Sequence, residues 1–461
     1  MMYAQSKNRI QIDRIQLYCV LYLVAWLLAP PLAYGTVYRL LTIVAAVLWL
    51  GLQFFRQSET KAEPKAVRRL TTYVFCMVAY VVVMLLLECF IEHHSLFSVL
   101  WNSITTYILL FIGYIGGVYA AEKRENDLRI IFYAALIIAV VFSITSIFRS
   151  DEFYEYTRTA GGEDEAYKFI ARRAAARGVG AFGFFCFTSV FAPLILWVYM
   201  KKRTWWYFAA FAIVEIGVIS AGYTLALIIS LVGVLFCFMV NARSGLTKAI
   251  IIVVAVFLVF SWQAIADELY SFLYRVTEGS FYHNKVIDIF RFILEGESAD
   301  TFQDRAERYL FSFNAAFRYP LFGALILEGI RAAGNHSSIL DTYSIFGWVI
   351  GTIWLYLIVI FPASTIDRSC EKNGQLRFMC GALLFFTALF NRYVMMMGVF
   401  YLIYPAISSV LNSANNKEND DNDESIMGDV CGVGASGEDH RRRILTKRDL
   451  DRRNRRRFIR K

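Results

Sequence analysis

Apolar residues in this chain gather into blocks of membrane-span length, separated by short polar and charged segments. A block of roughly 18 or more apolar residues is long enough to cross the ~30 Å hydrocarbon core of a bilayer. The pattern predicts an all-α, polytopic integral membrane protein with about 12 transmembrane helices. They fall near 15–34, 37–55, 72–91, 98–121, 128–148, 179–200, 204–221, 222–240, 248–266, 337–361, 376–391 and 394–411. The boundary between the seventh and eighth, around "ISAGYTLAL", is the least marked. The first block, from about Leu17, is span-length and has no small-residue cleavage site, so it reads as a span rather than a signal peptide.

The polar segments alternate in charge along the chain. "RQSETKAEPKAVRRL", "AEKREND", "MKKRT", "NARSGLTK" and "DRSCEKNGQLR" carry Lys and Arg and fall on one side of the predicted spans. "ECFIEHHS" and the very short turns at 35–36 and 392–393 fall on the other. Short loops rich in Lys and Arg stay in the cytoplasm. That rule places the first set, Lys7, Arg9, Arg14 and both termini inside. Two long connections, 149–178 and 267–336, then face outward. The second is a large extracytoplasmic loop, and long loops that are not linker-like carry function. Within it, "ADELYSFLYRV", "NKVIDIFRFILEG" and "RAERYLFSFNAAFRY" mix aromatics and charges at helical spacing. They predict short amphipathic helices on the outer surface. The expected division is a cytoplasmic N-terminus (1–14), a transmembrane domain (15–411) containing the 267–336 loop, and a tail (412–461).

Composition agrees with the pattern. The 461 residues are 57% hydrophobic and only 18% charged, with mean hydropathy +0.48, where a soluble domain carries about a quarter charged residues. The net charge of +9 comes from the tail. Residues 441–461, "RRRILTKRDLDRRNRRRFIRK", hold twelve Lys/Arg against two Asp, and the rest of the chain is close to neutral. This is no nucleic-acid-binding fold. The tail's dense charge and few apolar residues predict disorder. It is either a solvated tail that reinforces topology or a contact with anionic inner-leaflet lipid, worth about 1 kcal/mol per basic residue near the surface. The eight cysteines lie mostly inside apolar blocks without CxxC spacing, as small core hydrophobes do. No metal-ligand set and no cofactor motif is visible, and the adjacent His93 and His94 would diverge from a helix rather than share a metal.

Candidate chemistry concentrates in "DRAERYLFSFNAAFRYPLFGALILEGIRAAGNHSSILDTYSIFG". Arg305 and Arg308 are three apart on a predicted helix and can reach one face. Arg318 and Arg331 follow on the same outer side. Guanidinium groups fork onto phosphate oxygens with two parallel donors, so the cluster points to a lipid-linked diphosphate. A histidine's pKa can sit near neutrality, which makes His336 a candidate to accept a proton from a sugar hydroxyl. A single interfacial arginine snorkels as a rule, and a lone interfacial histidine is more often structural. It is the joint occurrence on one side, from Arg305 to His336, that singles this stretch out. "ARRAAARGVGAFGFF" closes the other outer connection with Arg172, Arg173 and Arg177, then opens a span through Gly178, Gly180 and Gly183, where small residues allow close helix approach. Asp341, about one turn beyond His336, either orients the histidine or is a satisfied polar group at the span mouth. Gly347 and Gly351 form a GxxxG expected to pack within the molecule.

These residues resemble the O-antigen ligase and Wzy-type polysaccharide polymerase family of bacterial membrane glycosyltransferases. The resemblance rests on two motifs and on the twelve-span layout with its late outer loop. One motif runs from Arg305 through Pro320-Leu321-Phe322-Gly323 to Asn335, His336 and the Gly347–Gly351 helix. The other is Arg177-x-x-Gly180-x-Phe182-Gly183. The resemblance implies metal-independent transfer of a glycan from a polyprenyl-diphosphate carrier to an acceptor sugar hydroxyl on a glycolipid, at the outer face of the bacterial cytoplasmic membrane. It implies Arg177 and Arg305 on the diphosphate and His336 beside the acceptor, with Asp341 and Tyr223 in orienting positions. The chain departs from the family where relatives carry a serine–arginine pair, here Ser220-Ala221-Gly222-Tyr223. It departs again where a polar step follows Arg177, here Phe184-Phe185-Cys186, and Arg308 or Arg318 then stand in at the donor site. A transporter or flippase for the same lipid-linked glycan is the rival expectation. It predicts internal repeats and interrupted helices with polar sites at mid-membrane, whereas the sequence shows no repeat and little intramembrane charge beyond Glu88 and Glu215.

Overall fold

A computed structural model of the chain describes residues 2–32, 35–57, 64–86, 104–158, 165–221, 223–242, 262–278, 300–324, 333–334, 336–366, 373–391 and 398–411, with a few isolated positions besides. Every element among them is a helix. The chain divides into two units, 1–410 and 411–461. The second, which holds the expected tail, lies outside the described residues apart from Leu411. So do His93, His94, Arg331, Asn335, "NKVIDIFRFILEG" and most of the expected ninth span.

Helices α1 (Met2–Leu28), α2 (Thr36–Gln57), α3 (Pro64–Leu86), α4 (Ile104–Ala121) and α5 (Glu125–Arg158) form the first half. Then come α6 (Glu165–Ala176), α7 (Phe182–Lys202), α8 (Trp205–Ala221) and α9 (Thr224–Asn241). The last are α10 (Trp262–Thr277), α11 (Asp300–Arg318), α12 (Ser338–Leu355), α13 (Asn373–Phe390) and α14 (Phe400–Leu411). Among the described residues, five stretches are long and apolar enough to cross a membrane: Ile10–Leu28, Thr36–Arg56, Glu125–Arg149, Phe182–Lys202 and Ser338–Ser364. Shorter apolar helices accompany them. Large apolar side chains such as Val47, Phe54, Phe75 and Phe148 are more than half exposed, which suits helices whose outer faces meet lipid.

Within unit 1 the core is built around α7, whose residues from Gly183 to Val198 are all buried. A helix apolar on every side belongs inside a bundle. Pro193 interrupts its hydrogen-bond ladder, and the ring packs where Gly233 of α9 leaves room: a Cβ there would lie 2.4 Å from the proline Cγ. Phe187 meets Phe400 of α14 at a 5.1 Å centroid distance, and Tyr404 donates from its hydroxyl to the Cys380 carbonyl at 3.1 Å. Cys19, Cys76, Cys186, Cys237 and Cys380 are buried free thiols.

The two long connections depart from simple loops. The expected loop 149–178 is largely helical, because α5 runs on through Arg158 and α6 fills 165–176. "DEFYEYTR" offers neither Gly nor Pro to stop a helix. In the 267–336 region, α10 and α11 coincide with two of the expected amphipathic helices.

Candidate functional site

The residues singled out in the late long connection are assembled by a backbone lock between α11 and α12. Helix α11 ends at Arg318 because Pro320 cannot extend it. The turn Tyr319–Gly323 then folds against a break in α12. Gly347 interrupts that helix with φ 74° and ψ −177°, a conformation almost confined to glycine. Breaking a helix frees an amide and a carbonyl that must find partners in an apolar surrounding. They find them in the turn: Trp348 N–H donates to Pro320 O at 2.7 Å, and Ser344 O accepts from Ala324 N–H at 2.8 Å. Gly323, also at positive φ (69°), lies so close that a Cβ there would sit 2.1 Å from Ile345 O. The Pro320–Gly323 motif and Gly347, read separately in the sequence, are two sides of one contact.

A second knot holds the segment that carries His336. Ser337 caps α12, its hydroxyl accepting from Leu340 N–H at 3.1 Å. Asp341 reaches back so that one carboxylate oxygen accepts from Ser337 N–H at 3.2 Å, while the other accepts from the Ser312 hydroxyl of α11 at 2.7 Å. Ser312 in turn accepts from Gly334 N–H at 2.8 Å. Ser312, Ser337 and Asp341 are all buried. The Asp341 carboxylate thus ties a hydroxyl of α11 to a backbone amide in the residue next to His336.

His336 itself is half-buried. Its ring stands edge-on to Tyr309 of α11 at a 6.5 Å centroid distance, and the Tyr309 hydroxyl donates to Phe390 O at 2.7 Å. Arg308, next to Tyr309, is exposed, as is Glu307. Arg318 is exposed with its guanidinium carbon 5.3 Å from the Tyr319 ring centroid. Arg305 lies on α11 one turn before Tyr309, and its side chain is outside the described residues.

Arg177 belongs to a separate turn at the head of α7. Gly178 N–H donates to Ala175 O at 2.9 Å and Val179 N–H to Ala174 O at 3.1 Å. With Gly178 at φ 83°, this is a Schellman ending for α6. The Arg177 side chain is exposed, and its carbonyl accepts from Arg149 Nη1 at 3.0 Å. The glycine that follows Arg177 is therefore required by the helix ending. Tyr223 packs its ring on Phe182 and Phe185, at 5.1 and 5.9 Å. A chain of contacts joins this head to the histidine: the Asn391 amide is 3.9 Å from Cys186 Sγ, and Asn391 O accepts from Ser338 N–H at 2.9 Å. Arg177, Tyr223, His336, Arg308 and Arg318 thus belong to the same end of the bundle, with Arg177 and His336 held by different knots.

A polar cluster that the sequence did not reveal sits at the opposite end, where α1, α2, α4 and α5 meet. Arg56 pairs with Glu122 and with Asp13, its Nε 3.2 Å from the Asp13 carboxylate. Arg124 pairs with Asp127 at 2.5 Å, donates to Gln16 Oε1 at 2.7 Å and lies 4.1 Å from the Tyr119 ring centroid. Gln16 donates to Gln53 at 2.9 Å, and Gln53 to Glu122 at 2.9 Å. Arg56, Arg124, Gln16 and Gln53 are all buried. The only sequence signal was the charge of "AEKREND", which topology alone seemed to explain.

Among the described residues no group of three His, Cys, Asp or Glu is placed to hold a metal ion. No protein-family model matches the chain, and no curated protein matches it either.

Proposed function

We propose that the protein is a membrane glycosyltransferase that moves a glycan from a polyprenyl-diphosphate carrier to an acceptor sugar hydroxyl, as a surface-polysaccharide polymerase or the related O-antigen ligase. In this reading it works at the outer face of a bacterial cytoplasmic membrane. The observation that carries the reading is the lock of α11 onto α12, which holds His336 beside Tyr309 on the helix that also bears Arg305 and Arg308. His336 accepts the proton of the acceptor hydroxyl, whose oxygen attacks the anomeric carbon. The bond from that carbon to the diphosphate oxygen breaks, and the arginines hold the departing charge. Arg177, Arg305, Arg308 and Arg318 are the diphosphate ligands in this scheme.

General-base assistance is worth about 10²–10⁴ in rate, and charge stabilisation at a leaving group about 10²–10³. His336→Ala and Arg305→Ala should abolish long-chain polysaccharide while the protein still inserts. Arg305→Lys should rescue poorly, because lysine keeps the charge and loses the fork. Glycan ladder length in cells complemented at matched membrane levels is the measurement. Full-length ladders from His336→Ala would sink the catalytic assignment.

The break at Gly347 favours a second reading, a flippase for the same lipid-linked glycan, since transporters use discontinuous helices. The two diverge in where intermediates collect. Loss of transfer leaves lipid-linked glycan on the outer leaflet, and loss of flipping leaves it on the inner one.

A further inference from the structure

Far along α12 from His336, the helical run changes character. It widens into a π-turn at Tyr356–Ile360 and continues as Phe361–Ser364 with Pro362 near its start. Beside this displaced backbone, against α13 from Arg377 to Phe386, lies an open groove of about 550 Å³. Its floor is made of small residues, Ala363, Gly381 and Ala382, and its walls of Ile360, Phe378 and Phe386. Ile360 is 51% exposed and Phe378 66% exposed, so the groove opens outward from the bundle.

Among the described residues lining the groove, Arg377 is the ionisable one, and it stands at one end. Its guanidinium is fixed there by donating from Nε to Ala363 O at 3.2 Å and from Nη2 to Ser364 O at 2.8 Å. From Arg377 to Phe386 the groove follows α13 for about 13 Å at 1.5 Å per residue. The result is an amphipathic slot with an apolar trough and a cation at its head.

We propose that this slot binds one anionic phospholipid, an acyl chain lying on the Ala363–Gly381 floor and the headgroup phosphate at Arg377. The proposal rests on the helices being membrane-embedded and not on the glycosyl-transfer chemistry. Around a membrane helix the medium is hydrocarbon, so an acyl chain is the apolar partner that fits a trough flanked by exposed Phe378 and Ile360. A guanidinium is a stronger match for phosphate than for any other headgroup element. A zwitterionic lipid brings its own ammonium to the same place and loses part of that attraction. Lys/Arg asymmetry puts the "DRSCEKNGQLR" end of α13 in the cytoplasm, so the lipid comes from the inner leaflet.

The test uses the full-length protein, purified in detergent, stripped of lipid and titrated with phosphatidylglycerol or phosphatidylcholine of identical chains, with bound lipids counted by native mass spectrometry. Wild type should take up one phosphatidylglycerol at about tenfold lower concentration than phosphatidylcholine, the size expected of one charge-assisted hydrogen bond. Arg377→Ala should remove the preference. Gly381→Leu should lower occupancy by both lipids. A Cβ at Gly381 meets only Ala363, at an ordinary 3.7 Å, so the added side chain has room to start into the trough, and an unchanged unfolding temperature checks that the fold is kept. Equal binding of the two lipids by wild type would overturn the proposal, as would unchanged phosphatidylglycerol occupancy in Gly381→Leu.

Discussion

Helix α5 connects two polar regions of opposite construction. Near its first residues, Arg56 and Arg124 are buried among Asp13, Glu122 and Asp127. Beyond its apolar stretch, about 36 Å along at 1.5 Å per residue, Arg149 meets the Arg177 turn, at the end of the bundle that also holds the His336 segment. That end is called outer, and the Arg56–Arg124 end inner, on the expectation from the Lys/Arg asymmetry of the short loops. It is tied by serine hydroxyls, backbone amides, glycines and one carboxylate, while Arg177, Arg308 and Arg318 are exposed. Taking a charge out of water is costly unless it is paired, so the inner arginines serve the fold. The outer end is tied without burying Arg177, Arg308 or Arg318. That division is why an arginine count says little about function until its carboxylates are located.

The largest effect expected of this comparison lies at the inner end. Arg124→Ala leaves Asp13, Asp127 and Gln16 without their central donor, and breaking such a buried pair costs about 3–5 kcal/mol. Thermal unfolding in detergent should register it. Arg308→Ala, on an exposed site, should stay within about 0.5 kcal/mol of wild type and reduce transfer instead. Reversal of that pattern, with Arg124→Ala stable and Arg308→Ala unfolded, would erase the distinction between the two ends.

Much of the frame was legible because lipid-facing and buried helices share one signal, the unbroken apolar block. The blocks at 37–55, 128–148 and 179–200 coincide with α2, α5 and α7, within a few residues except where α5 runs on. The amphipathic stretches beginning near Ala266 and Arg305 were also legible, since aromatics at helical spacing give the period directly. The end of α5 was not. The charges of "SDEFYEYTR" read as loop, yet nothing in them prevents a helix from continuing to Arg158. The inner cluster was invisible for a different reason. Asp13, Gln53 and Arg124 come from segments up to 111 residues apart, and no local pattern links them. Asp341 was legible as a polar residue at a span mouth, but its partner Ser312 lies 29 residues away, which only the fold brings near.

A second, smaller effect is expected where the outer end depends on glycine. Gly347→Ala forces a side chain into φ 74°, ψ −177°, which costs about 1–3 kcal/mol. The new Cβ would also lie 2.5 Å from Leu321 O, so the 319–323 turn must move. Hydrogen exchange at the Trp348 and Ala324 amides should accelerate, while the amides of α1 and α2 at the inner end stay protected. Unchanged protection at Trp348 would mean that the turn does not hold the break, and the lock would lose its standing as a tie between α11 and α12.

The smallest effect separates positioning from chemistry at the outer end itself. Ser337→Ala deletes the hydroxyl that caps Leu340 N–H and should cost about 1 kcal/mol, as for other lost N-caps. The remaining ties do not involve that hydroxyl. Ser337 N–H still donates to Asp341, Ser312 still bridges Asp341 and Gly334, and Ser338 N–H still donates to Asn391 O. His336, one residue away, should therefore keep its place against Tyr309. Glycan ladders should reach wild-type length at matched membrane levels, with only the unfolding temperature lowered. Shortened ladders together with intact amide protection at Ser338 and Asp341 would show that the Ser337 hydroxyl takes part in the reaction. The outer knot would then be chemical machinery as well as scaffold, and the contrast with the inner end would sharpen.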